Sequence, residues 1–128
     1  MKTLNEIDFD SLLQGIDNGG SPLVFCRSCH APITSQHEQA VIGNNSHHRF
    51  TNPVGITYHL RCFTNAHGCS IRGRYTEEYS WFAGYQWQLA LCSECGEHLG
   101  WYYQYCRSSH SQRFFFGLIA DRLMDQMS

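Results

Sequence analysis

Charge is scarce in this sequence. Asp, Glu, Lys and Arg make up 16% of its 128 residues, against roughly a quarter in an average soluble domain. The net charge is −2, so there is no basic field to hold nucleic acid or an anionic membrane surface. Neither is an expected partner. Long apolar runs are also missing, and no stretch reaches the roughly 18 residues of a membrane span. Met1 to Asp8 lack the apolar core of a signal peptide, which makes a cytoplasmic location the expectation. Low-complexity tracts and internal repeats are absent. Nor does an H-E-x-x-H-like spacing organise the eight histidines, so they define no hydrolytic centre.

Aromatics and cysteines fill the gap. There are three Trp, seven Tyr and eight Phe, with seven Cys. The length suits one domain. An odd cysteine count without a leader argues for metal or redox thiols rather than a disulfide framework. Four of the seven form tight pairs, Cys26-Arg27-Ser28-Cys29 and Cys92-Ser93-Glu94-Cys95, while Cys62, Cys69 and Cys106 stand alone.

Residues 1–22 read as an extension. Leu4, Ile7, Leu12, Leu13 and Ile16 are spaced as on a short amphipathic helix. The breakers Asn18-Gly19-Gly20-Ser21-Pro22 then make a linker. A single domain follows over 23–128. Its signals are mainly β: Leu23 to Phe25, His48 to Thr51, Ile56 to Leu60, Tyr85 to Leu91, Leu99 to Tyr103 and Phe114 to Ile119. Asn52-Pro53-Val54-Gly55 is a turn by composition. Ala120 to Met127 is expected to add a helical turn or two.

Two C-x-x-C pairs can supply four thiolates to a tetrahedral zinc, one knuckle each. The stretch from Cys29 to Cys92 far exceeds the roughly 15–20 residues of a small finger. Two separate hairpins pinned by one metal are therefore expected, with Gly96 suiting a tight knuckle turn. Four thiolates close the coordination sphere, which makes the zinc structural. No βαβ pattern surrounds either pair, against a thioredoxin-like redox role. His30 and His98 are the right type to replace a cysteine, but read as surface or packing residues.

Trp81, Trp87 and Trp101 cluster in one stretch, two of them on the strands flanking the second pair. Together they could wall a small box for a flat ring or a cation. Equally, they could fill the core of a small β domain. Residue type alone leaves both readings open.

The segment from Glu78 to Trp101, with S-W-F-x-G-Y-x-W, C-x-x-C and H-L-G-W in combination, strongly resembles the thalidomide-binding (CULT) domain of cereblon. It is similar in particular to short single-domain bacterial homologues. The likeness begins at Phe25-Cys26-Arg27-Ser28-Cys29, continues through Phe50 to Gly55 and ends at Phe115 to Ile119. The resemblance implies two antiparallel sheets meeting at an angle, a β-tent, pinned by zinc on Cys26, Cys29, Cys92 and Cys95. It implies a three-tryptophan cage of Trp81, Trp87 and Trp101, with Tyr103 as aromatic floor. Backbone groups at Tyr79 and Trp81 would meet an imide N–H and carbonyl, with Ser80 between them and Asn52 and Pro53 on the rim. The implied ligands are glutarimides, thalidomide-like drugs and uracil- or uridine-like rings. Implied partners are free cyclic imides or proteins with a C-terminal cyclic imide, and the implied role is non-catalytic. No counterpart of the segments that join cereblon to a ubiquitin ligase is seen, so no such adaptor is expected.

Two other functions compete. A methionine sulfoxide reductase of the B type also pins a β fold with two C-x-x-C pairs, and Cys106 would have to be its nucleophile. Alternatively, the tryptophans would take a methylated ammonium group, with Glu77 and Glu78 the only carboxylates nearby.

Overall fold

The structure is a computed structural model that describes residues 22–107 and 113–126. The expected N-terminal helix lies outside these residues. Aromatic and β-branched residues recur at period two in several segments, and nine strands form among the described residues. These are β1 (Leu23–Cys26), β2 (Pro32–Ser35), β3 (His47–Thr51), β4 (Thr57–Phe63), β5 (Cys69–Thr76), β6 (Tyr85–Cys92), β7 (His98–Tyr105), β8 (Phe114–Ile119) and β9 (Leu123–Met124). They make two antiparallel sheets, one of order β2-β1-β9 and one of order β3-β4-β8-β7-β6-β5. The mainly β reading holds.

Strand alternation sends successive side chains to opposite faces of the large sheet. On one face Leu60, Cys62, Tyr103, Phe115 and Ile119 pack with Phe82, and Trp81, Trp87 and Trp101 lean against that cluster. On the other, Phe63, Ala90, Cys92, Phe116 and Leu118 pack against Val24, Cys26, Ile33 and Leu123 of the small sheet. Each large apolar side chain buried this way stabilises by about 1.5–3 kcal/mol. One sheet therefore serves two cores, one toward the cysteines and one toward the tryptophans.

Two strands carry little sequence signal. Strand β2 is four residues long and begins at a proline, and β5 is an edge strand, broken by Gly73 and mostly exposed. The chain end departs from expectation. Ala120–Arg122 makes one 3-10 turn, and Leu123–Met124 then pairs with β1. That pairing, reinforced by Arg27 Nη2 donating to the Leu123 carbonyl at 2.9 Å, takes the backbone groups a helix would have used.

Candidate functional site

Two centres lie on the β6–β7 hairpin, one at its turn and one along its strands. At the turn, the sulfurs of Cys26, Cys29, Cys92 and Cys95 all lie within 4.8 Å of one another. The Cys26–Cys95 and Cys29–Cys92 sulfurs are 3.7 and 3.6 Å apart. A tetrahedron with metal–sulfur bonds of about 2.3 Å has edges of about 3.8 Å, so the thiol set fits a metal ion. The two knuckles match. The amides of Ser28 and Cys29 are aimed at the Cys26 sulfur, and those of Glu94 and Cys95 at the Cys92 sulfur. Each knuckle closes with an amide of the residue after the pair, His30 to the Cys26 carbonyl and Gly96 to the Cys92 carbonyl, at 2.8 and 2.9 Å. Both residues are left-handed, at φ 67° and 81°. His30 is thus a turn residue. His98 Nε2 donates to the Gly100 carbonyl (2.9 Å), and the ring stands edge-on to Trp101. Neither histidine is in the thiol cluster.

Along the hairpin, Asn52, Pro53, Tyr58, Tyr79, Trp81, Trp87, Trp101 and Tyr103 line a cavity of about 200 Å³. Trp87 and Tyr103 are cross-strand partners, and Leu89 faces Trp101. Trp101 meets Trp81 at right angles, with centroids 5.1 Å apart, and Tyr58 is edge-on to Trp101 at 5.5 Å. Trp81 comes from the β5–β6 loop, and Phe50 stacks on it at 5.1 Å. Trp87 Nε1 donates to the Glu78 carbonyl at 2.8 Å, which ties the loop to the strand. Asn52 Oδ1 accepts from the Val54 and Ile56 amides and so shapes the rim turn. Tyr79 is 69% exposed and left-handed at φ 60°, a strained conformation of the kind found at binding loops. Among the described residues, the Tyr79 carbonyl and Trp81 amide beside it have no backbone partner. Ser80 is not among the lining residues: its hydroxyl donates back to the Phe82 carbonyl at 3.1 Å. Tyr58 and the supporting Phe50 had no signal beyond belonging to strands, because their role depends on β4 and β3 lying across the sheet.

None of the lone cysteines is among the residues lining the cavity. Cys62 sits in the core, where burial pushes its thiol up to about 12. Cys106 donates to the Gly84 carbonyl, and its thiol is raised by desolvation and then by Glu77. That is opposite to the activation a nucleophilic thiol needs. Glu77 is paired with Arg107 at 2.6 Å, and no carboxylate is among the lining residues of the cavity. A wider groove of about 620 Å³ beside Ile33, Glu38, His67 and Glu94 has no aromatic wall.

No protein-family model matches the chain. Among curated proteins it is 30% identical to "Protein cereblon" of Drosophila erecta over 101 residues, covering 75% of this chain and 17% of that protein. It is 32% identical to the Gallus gallus protein of the same name over 78 residues, 61% of this chain and 18% of that one. The chain thus spans about a sixth of the length of these relatives. Two antiparallel sheets with a four-cysteine cluster able to hold a metal define the class. Within that class, this is a cereblon-type domain.

Proposed function

We propose that this domain is a non-catalytic binding module whose tryptophan-walled cavity holds the ring of a cyclic imide, and whose four cysteines hold a structural zinc. The observation that carries the reading is the cavity itself, with three indoles at its walls and an unpaired carbonyl and amide at its edge. A glutarimide is flat and neutral, with one N–H between two carbonyls. Indole faces bury its methylenes, the Tyr79 carbonyl accepts from the imide N–H, and the Trp81 amide donates to an imide carbonyl. An analogue that leaves either group unpaired loses roughly 1–3 kcal/mol. Uracil- and uridine-like rings present the same N–H flanked by carbonyls. The ligand is either a free cyclic imide or a protein chain ending in one. The absence of a lining carboxylate argues for a neutral ring over a methylated ammonium ion.

Tryptophan fluorescence tests this. Glutarimide and thalidomide quench saturably, N-methylglutarimide does not, and Trp81→Ala abolishes the response. A response to trimethylammonium in place of the imides would assign a cation cage. Turnover of methionine sulfoxide would assign an enzyme. Silence toward every imide, from folded and metal-loaded protein, would return the tryptophans to the core.

A further inference from the structure

We infer that Cys69 is an oxidation site of the metal-free domain, forming a disulfide with the metal-ligand cysteine Cys92; this rests on the four-thiol cluster being a metal site. The β5–β6 register sets Cys69 directly opposite Cys92. The Ser93 amide donates to the Gly68 carbonyl at 2.9 Å, while the Cys69 and Cys92 amides turn away to Ala66 and Glu97. That is the pattern of a non-hydrogen-bonded antiparallel pair, whose Cα atoms approach to about 4.5 Å with side chains closest. Disulfides span Cα separations of about 4.4–6.8 Å, a range that includes the spacing of such a pair. Both side chains face the same core.

The sulfurs of the four-thiol cluster are also close, within each knuckle as well as between the two, but Cys29 and Cys95 are exposed turn residues. Once the metal leaves, no ladder holds those turns together. Cys69 and Cys92 stay facing each other because the sheet pairs them.

The oxidant is a hydroperoxide. The Cys92 sulfur attacks the O–O bond, becoming a sulfenic acid while the alcohol leaves. The Cys69 sulfur then displaces the sulfenic oxygen, which departs as water with the Cys69 proton. Two thiols lose two electrons and the peroxide bond takes them up. While Cys92 is on the metal its lone pair is engaged and the reaction waits. Once the disulfide forms, a ligand is missing and the metal cannot return.

The test starts from the full chain with its metal content measured. The metal is stripped with a chelator, hydrogen peroxide is added, free thiols are alkylated and the bonds are mapped by fragmentation mass spectrometry. A Cys69–Cys92 bond is expected, with zinc uptake lost and then restored by dithiothreitol. Cys69→Ser takes up zinc as the parent does, which shows that it folds, and never carries that bond. A protein that binds no metal before oxidation overturns the metal reading. One that binds metal, yet links two of the four cluster cysteines to each other, within a knuckle or between the two, and leaves Cys69 open to alkylation, overturns this inference alone.

Discussion

Gly100 is the residue that lets β7 lie against β8. A Cβ there would stand 2.2 Å from the Gly117 carbonyl oxygen and 2.8 Å from Leu118 Cα, both backbone atoms that cannot swing aside. Gly100→Ala is expected to cost about 1–3 kcal/mol, as overpacking does, and denaturant melts will read it. Gly96 is a different case. Its left-handed φ has open space around it, so Gly96→Ala pays only the backbone strain of about 1–2 kcal/mol. At the cavity, Phe50 backs Trp81 face to face. Phe50→Ala should leave the sheet melting as a unit while loosening that wall. Imide affinity is expected to fall about two- to tenfold, in line with an aromatic pair worth 0.5–1.5 kcal/mol beyond burial. Unchanged affinity would mean that Trp81 is held by its loop alone.

At the scale of elements, the β6–β7 hairpin joins the two centres. Cys92 ends β6 and Trp87 lies on the same strand, while Trp101 stands on β7 a few residues past the second knuckle. The first knuckle belongs to the small sheet through β1. A metal between the knuckles therefore clamps the small sheet to the hairpin that carries two tryptophans. Chelation is expected to lower the thermal midpoint by about 10 °C or more, since a structural zinc contributes far more than the ~1 kcal/mol that shifts a small domain by about 4–8 °C. Imide quenching should weaken in parallel. A melt indifferent to chelator would mean that the sheet contacts alone suffice.

At the scale of the whole molecule, His98 opens β7 shortly after Cys95 and stands edge-on to Trp101. Burial lowers the pKa of His98 below its usual 6.5, and Arg122 lowers it further against the pull of the Gly100 carbonyl. A histidine depressed on folding binds its proton more readily when unfolded, so its contribution to stability is present above about 6.5 and is lost as pH falls through the folded value. Melts at pH 7.5, 6.5 and 5.5 should show stability dropping on acidification, with a shallower drop in His98→Gln. An equal slope in both would assign the pH dependence to other groups. Across the described residues, no helix is long and apolar enough to cross a membrane.

The strands with strong alternation were legible because period two is a local property: it groups Trp87 with Tyr85 and Leu89 on one strand and Trp101 with Tyr103 on the other, while the register of β6 on β7 brings the two groups to one face. The paired C-x-x-C spacing was legible for the same reason, since a knuckle is closed within a few residues. What residue type left open was whether the tryptophans fill a core or wall a cavity. That depended on Trp81 arriving from a loop, on Tyr58 and Phe50 crossing from β4 and β3, and on Asn52 folding its turn toward them. The end of the chain was decided the same way, since Leu123–Met124 becomes a strand only because β1 offers an edge. Cys69 shows the division most plainly. Alone in sequence, it acquires a partner only through the register of β5 on β6. Local periodicity and spacing act over a few residues and are written in the chain; side chains that meet across a sheet are chosen by register, which only the folded ladder fixes.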